Sequence, residues 1–142
     1  GILLSQDVDI YEGETAAETV VRMLQNNGYS VDYTGNYETG FYLARISSES
    51  NFVTGNIPED LRTKLEEHGF EIYDFTPNSL GDYDFTKGSG WMYQVNGVYP
   101  NYGLSDYCFQ NGDTLRLRFT LAYGADIGQD MTGGSDNWGY EW

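Results

Sequence analysis

Cysteine is almost missing from this 142-residue chain: Cys108 stands alone, so no intrachain disulfide can form. That leaves a cytosolic protein, or an exported bacterial protein that does without disulfides. Histidine is equally scarce. His68, the one imidazole in the sequence, lies far from Cys108, which leaves a thiol nucleophile without its usual base. Positive charge is thin, with 7 Lys and Arg against 22 Asp and Glu and a net charge of −15. Such a surface repels phosphate backbones and anionic lipid, so nucleic acid is excluded as a partner. No apolar run approaches the ~20 residues a spanning helix needs, so this fragment does not insert into a membrane. Hydrolase and phosphate-loop signatures are missing too: there is no Gly-x-Ser-x-Gly, and Gly88-Ser89-Gly90 runs into a strand rather than a helix.

Aromatics and glycine are abundant, with 13 Tyr, 7 Phe, 3 Trp and 18 Gly. That composition suits β-rich extracellular domains and surfaces that bind through rings. Acidity of this degree keeps an extracellular protein soluble, and it is compatible with divalent cations or basic partners.

Two helices are expected. Thr15 and Glu18 form a Thr-x-x-Glu capping box ahead of the stripe Ala17, Val20, Val21 and Leu24, and Asn27-Gly28 closes it, which predicts a helix over 16–27. Pro58, Glu59 and Asp60 open a second, shorter helix that carries Leu61 and Leu65 and ends at His68-Gly69. Ile2, Leu4, Val8 and Ile10 predict one or two extended segments within 2–11, with 8–11 the best strand, and further strands are expected at 31–34 and 41–46, with Phe41, Leu43 and Arg45 sharing one face of the last. Trp91, Tyr93 and Val95 alternate with Met92 and Gln94 before Asn96-Gly97, a strand followed by a tight turn and a short return. Cys108 reads as a small buried hydrophobe in a strand. In 114–122, Leu115, Leu117, Phe119 and Leu121 face a core, while Thr114, Arg116, Arg118 and Thr120 face water or a neighbour. The order predicts an α+β fold: a β-grasp-like mixed sheet packed against one principal helix, with a second short inserted helix. It reads as a single domain, with its core at about 8–128 and a Gly/Asp/aromatic-rich tail at 129–142.

Two constellations are candidates for function. Trp91, Tyr99, Asn101, Tyr102 and Trp138 form an aromatic set for a small molecule, centred on the loops that flank the Trp91 strand. Asp126, Asp130 and Asp136 supply hard oxygen ligands on a Gly-rich tail, a Ca²⁺ candidate without EF-hand spacing. Asp82 and Asp84 would point the same way from a strand, with nothing in the sequence to separate them into an acid and a base.

The run Gly88-Ser89-Gly90-Trp91-Met92-Tyr93-x-Val95-Asn96-Gly97, followed by Pro100-Asn101-x-Gly103-x-Ser105-x-Tyr107 and Asn111-Gly112-Asp113-Thr114, resembles the transcobalamin-like C-terminal domain. The helix after Glu12-Gly13-Glu14-Thr15 and the stretch Thr120 to Gly128 share the likeness. That family occurs in bacterial surface proteins and is related to the small domain of vitamin B12 carriers. The resemblance implies a β-grasp-like fold, an exported cell-surface setting and a corrinoid or other small ligand. The function expected is therefore a non-enzymatic extracellular ligand-binding or interaction domain, probed by a small molecule or by a surface protein or glycan. The alternative is a structural or adhesive module that binds protein or glycan, with Ca²⁺ on its acidic loops. A monomer is expected. The abrupt start at Gly1-Ile2-Leu3-Leu4 is compatible with a signal peptide or anchor that has been removed.

Overall fold

The computed structural model describes residues 2–8, 11–54, 56–100, 102–128 and 138. Along these run β1 (Ile2–Asp7), α1 (Ala16–Asn26), β2 (Ser30–Thr34), β3 (Tyr42–Ser47), α2 (Glu59–Glu67), β4 (Ser79–Gly81), β5 (Gly90–Val95) and β6 (Thr114–Thr120). The strands make two three-stranded sheets, ordered β1-β6-β5 and β2-β3-β4, and every ladder in them is antiparallel. The α+β class expected from the sequence is the one observed. The single mixed sheet is not: there are two sheets, and parallel pairing among the described residues is confined to an isolated bridge between Gly88 and Ala122.

Both helices form where local chemistry asks for them. Thr15 accepts a hydrogen bond from the Glu18 N–H at 3.4 Å, and Gly28 takes the left-handed conformation just past the last turn. Glu14 adds what the capping pattern did not reveal. Its carboxylate receives the Arg22 guanidinium at 2.8 Å and the Thr19 hydroxyl at 3.3 Å, clamping the first two turns. Pro58 precedes α2, and Gly69 at φ +81° follows its cap, His68.

Each helix organises its own apolar cluster. Ala17, Val20, Val21 and Leu24 of α1 pack with Leu4, Leu43, Ile46, Leu115 and Leu117, so α1 covers strands of both sheets. Leu61 and Leu65 of α2 pack with Leu80, Phe85, Phe119 and Leu121. Trp91 and Phe52 border both clusters.

Several strand expectations need correction. Within the extended stretch expected at 2–11, the strand is Ile2–Asp7, paired with β6, and not the part at 8–11. Val8 only donates its N–H to Asp113, and positions 9 and 10 lie outside the described residues. In β3 a bulge interrupts the alternation: Asp32 sits opposite Arg45 and Tyr33 opposite Leu43, which leaves Ala44 as the extra residue. Leu43 and Ile46 therefore both reach the core, where strict alternation would have put them on opposite faces. The Asn96-Gly97 turn forms, with φ of +54° and +83°. Among the described residues, however, no strand returns along β5. Val95 and Val98 exchange two hydrogen bonds and the chain then leaves, reaching Pro100, which lacks the N–H a ladder needs. The Asn96 side chain instead binds Asp113 and the Thr114 N–H, both at 2.9 Å, and so helps set the register of β5 on β6.

Cys108 is exposed and lies in no strand, contrary to expectation. Its neighbours explain why: Tyr107 and Phe109 turn inward against Tyr93, and the alternate side chain is left outside. On β6, Arg118 and Thr120 are buried as well as the apolar face. The neighbour over that second face is the chain around Tyr99 and Ile127. Arg118 Nη1 donates to the Tyr99 hydroxyl at 3.0 Å and to the Ile127 carbonyl at 3.2 Å.

β3 and β4 approach so closely that Gly81 has no room for a side chain. A Cβ there would stand 2.4 Å from the Ala44 carbonyl oxygen and 2.9 Å from Arg45 Cβ. Gly81→Ala is expected to lower the unfolding free energy by about 3 kcal/mol, the upper part of the range for overpacking. Gly103, whose φ is −67° and which has nothing within 4 Å of an added Cβ, should tolerate alanine with a change within about 0.5 kcal/mol. Chemical denaturation of the two variants side by side checks the pair.

Candidate functional site

The two sheets part company beside β5. β4 is three residues long, so β3 is laddered to it only from Arg45 onward. β5 is the edge of its own sheet. Between the start of β3, which is paired with β2 but not with β4, and the edge of β5 lies a pocket of about 350 Å³, and the chain around Tyr99, Tyr102 and Leu104 closes its third side. Phe41, Tyr42, Trp91, Tyr93, Tyr99 and Tyr102 supply six aromatic rings to its wall. The volume lies at the small end of the range of about 300–1,000 Å³ usual for ligand pockets.

Most polar tips in this wall are already committed. The Trp91 indole N–H donates to the Leu80 carbonyl at 2.9 Å, across to the other sheet. Tyr42 donates to the Asp82 carboxylate, 2.8 Å from either oxygen. Tyr93 donates to the Tyr102 carbonyl at 2.6 Å, and Tyr99 to the Ile127 carbonyl at 2.7 Å. Gly90 makes room for the Tyr42–Asp82 pair, since a Cβ there would lie 3.2 Å from Asp82 Oδ1. Tyr102 is 63 % exposed.

These surroundings hold the phenols protonated. Burial pushes Tyr42 well above its ordinary value of 10, helped by the hydrogen bond to Asp82 and by that carboxylate's charge. Burial does the same to Tyr93, with the negative charge of Asp106 and the neighbouring Tyr107 adding to it. Tyr99 is raised by burial despite the opposing pull of Arg118.

Residues 68–120 match the family described as Domain of unknown function (DUF4430). The matched stretch carries β4, β5, β6 and the Tyr99 and Tyr102 side of the pocket, while the β3 wall lies outside it. No curated protein and no solved structure matches the chain.

Of the aromatic set read from the sequence, Trp91, Tyr99 and Tyr102 come together in this pocket, and Asn101 lies outside the described residues. Trp138 is placed elsewhere. Its ring lies 4.8 Å from that of His68 and 5.4 Å from Lys64 Nζ, and its backbone N–H donates to the Ala125 carbonyl at 2.7 Å. Phe41 and Tyr42 were missed as site residues. They reach the pocket through long-range packing, for which neighbouring residues give no signal.

The acidic candidates are dispersed. Asp126 is fully buried. It receives the Thr120 hydroxyl on one oxygen and the Leu121 N–H, at 2.9 Å, on the other, so it holds the end of β6. Asp130 and Asp136 lie outside the described residues. Among the described residues no group of three His, Cys, Asp or Glu side chains is gathered for a metal. Asp82 and Asp84 have separate partners: Asp84 takes the Arg45 guanidinium at 2.8 Å and the Gly81 N–H at 2.9 Å.

The raised phenols fix the sign of a pH effect. Above pH 10 the unfolded chain loses tyrosine protons that the folded chain keeps, so stability falls as pH rises through and beyond 10. The thermal midpoint should therefore drop as pH rises past 10, and phenolate absorbance from the pocket should appear together with unfolding. Tyr93→Phe should make that drop shallower in a series of melts across the same pH range.

Proposed function

We propose that this chain is a non-enzymatic, extracellular ligand-binding domain of a bacterial cell-surface protein, and that its ligand enters the aromatic pocket between β3 and β5. One observation carries the reading: Trp91, Tyr99 and Tyr102 meet Phe41 and Tyr42 on a single concave wall, although they come from separate stretches of the chain. A wall of rings whose hydroxyls are mostly tied to structural acceptors favours holding a molecule over making or breaking its bonds. The resemblance to the transcobalamin-like C-terminal domain supports the setting and the class of ligand. The match at 68–120 falls on the strand and turn that carry that resemblance.

A corrinoid is the ligand class the resemblance implies. A pocket of about 350 Å³ is too small to enclose a macrocycle. It suits the edge or a side group of one, with the rest lying over Tyr102 and the outer surface. The same geometry suits a smaller molecule taken in whole.

Equilibrium dialysis of the full chain against cobinamide and cobalamin tests the corrinoid branch. Retention at micromolar ligand, weakened about fivefold by Tyr102→Ala, is the expected result, since loss of one stacking ring costs on the order of 1 kcal/mol. Tyr102 is exposed, so its removal leaves the core intact. Retention that ignores Tyr102→Ala would place the ligand elsewhere, and no retention would remove corrinoids from the list.

A further inference from the structure

The pocket's chemistry discriminates between ligands by charge. Its wall offers six aromatic rings. A ring face carries partial negative charge and attracts a cation, most strongly for Trp and Tyr. None of the described lining residues is Lys, Arg or His; the guanidinium next to the wall, that of Arg118, is engaged with the Tyr99 hydroxyl and the Ile127 carbonyl. Beside the wall, the Asp82 carboxylate is fixed on Tyr42 by two contacts of 2.8 Å, and Asp106 lies close enough to raise the Tyr93 phenol.

Hydrogen-bond direction points the same way. Trp91, Tyr42, Tyr93 and Tyr99 each spend their side-chain proton on a protein acceptor. Among the described lining residues, Tyr102, which is exposed, supplies the remaining side-chain donor. An anionic or phosphate-bearing group needs donors and finds few here. A compact alkylated ammonium needs no acceptor of its own and is satisfied by ring faces and a nearby carboxylate. The chain's net charge of −15 draws such a cation toward the surface from a distance.

We propose that this pocket receives an organic cation, a quaternary or alkylated ammonium group, held over the rings of Trp91, Tyr93 and Tyr102 and charge-balanced by Asp82. The inference rests on the reading of the pocket as the ligand site and names the chemistry of the group that enters it. Asp82 acts through its charge at the rim, and Tyr102 closes the open side.

Calorimetric titration of the full chain with choline and with neohexanol, its uncharged carbon isostere, isolates the charge. Choline should bind at least about tenfold tighter than neohexanol, the preference expected for a cation partly desolvated among rings. Asp82→Asn, which keeps an acceptor for Tyr42, should weaken choline severalfold and leave neohexanol unchanged. Tyr102→Ala should weaken both probes. Neohexanol binding as tightly as choline, and weakened by Tyr102→Ala, would overturn the cation inference while leaving the pocket as the ligand site. Binding of both probes that ignores Tyr102→Ala would overturn the cation inference and the pocket reading together. Failure of both to bind at millimolar concentration would overturn the cation inference, with the dialysis experiment still deciding the pocket separately.

Discussion

One indole N–H ties the two sheets together at the place where their strands stop pairing. Trp91 sits on the edge strand of one sheet and donates to the Leu80 carbonyl of the other at 2.9 Å. Its ring meets Phe119 edge-on, with centroids 5.0 Å apart, and borders both hydrophobic clusters. The bond matters because of where it falls: β4 is the edge of one sheet and β5 the edge of the other, and Leu80, which faces Ile46 across the β3–β4 ladder, takes the indole as an added donor. Trp91 meets that carbonyl with a rigid side chain, so the spacing of the sheets is set by the length of an indole. The pocket is the gap that this spacing leaves.

β6 explains how the gap is kept from collapsing. It is the middle strand of its sheet and is buried on both faces. Leu115, Leu117 and Phe119 face the apolar clusters, and Arg118 faces Tyr99 and the Ile127 carbonyl. The Arg118 contact anchors the Tyr99 side of the pocket to the sheet. Asp126 and Thr120 then lock the end of the strand: the Thr120 hydroxyl donates to the Asp126 carboxylate and accepts from the N–H groups of Ala122 and Gly124. Buried polar groups that are satisfied in this way favour one arrangement of the surrounding chain over its alternatives. Asp126, one of the three acidic residues read from the sequence as metal candidates, is thereby occupied by the Thr120 hydroxyl and the Leu121 N–H.

Legibility in the sequence followed the range of the forces involved. Both helices could be read because their determinants are local: Thr15 and Gly28 bracket one, Pro58 and Gly69 the other. The Asn96-Gly97 turn was legible for the same reason, but whether a strand returned from it was not, because β5 pairs with β6 far along the chain. The bulge at Ala44 left no mark in the residues around it, since it exists only relative to β2. Cys108 looked apolar by its neighbours, yet those neighbours took the inward positions and left it exposed. At the site, Trp91, Tyr99 and Tyr102 could be picked out by their density beside one turn. Tyr42, Phe41 and the role of Asp82 depend on a sheet-to-sheet contact that no local pattern encodes.

The pocket built this way has one wall on β5 and a second on β3, with the exposed Tyr102 on its third side. The direct measurement is the Trp91 indole resonance in ¹⁵N-labelled protein, assigned by its loss in Trp91→Phe. The account predicts an indole proton protected from solvent exchange by its bond to Leu80, and a resonance that shifts as a ligand fills the pocket. An indole that exchanges as fast as one on the open surface, and that does not move while ligand saturates the protein, would contradict it.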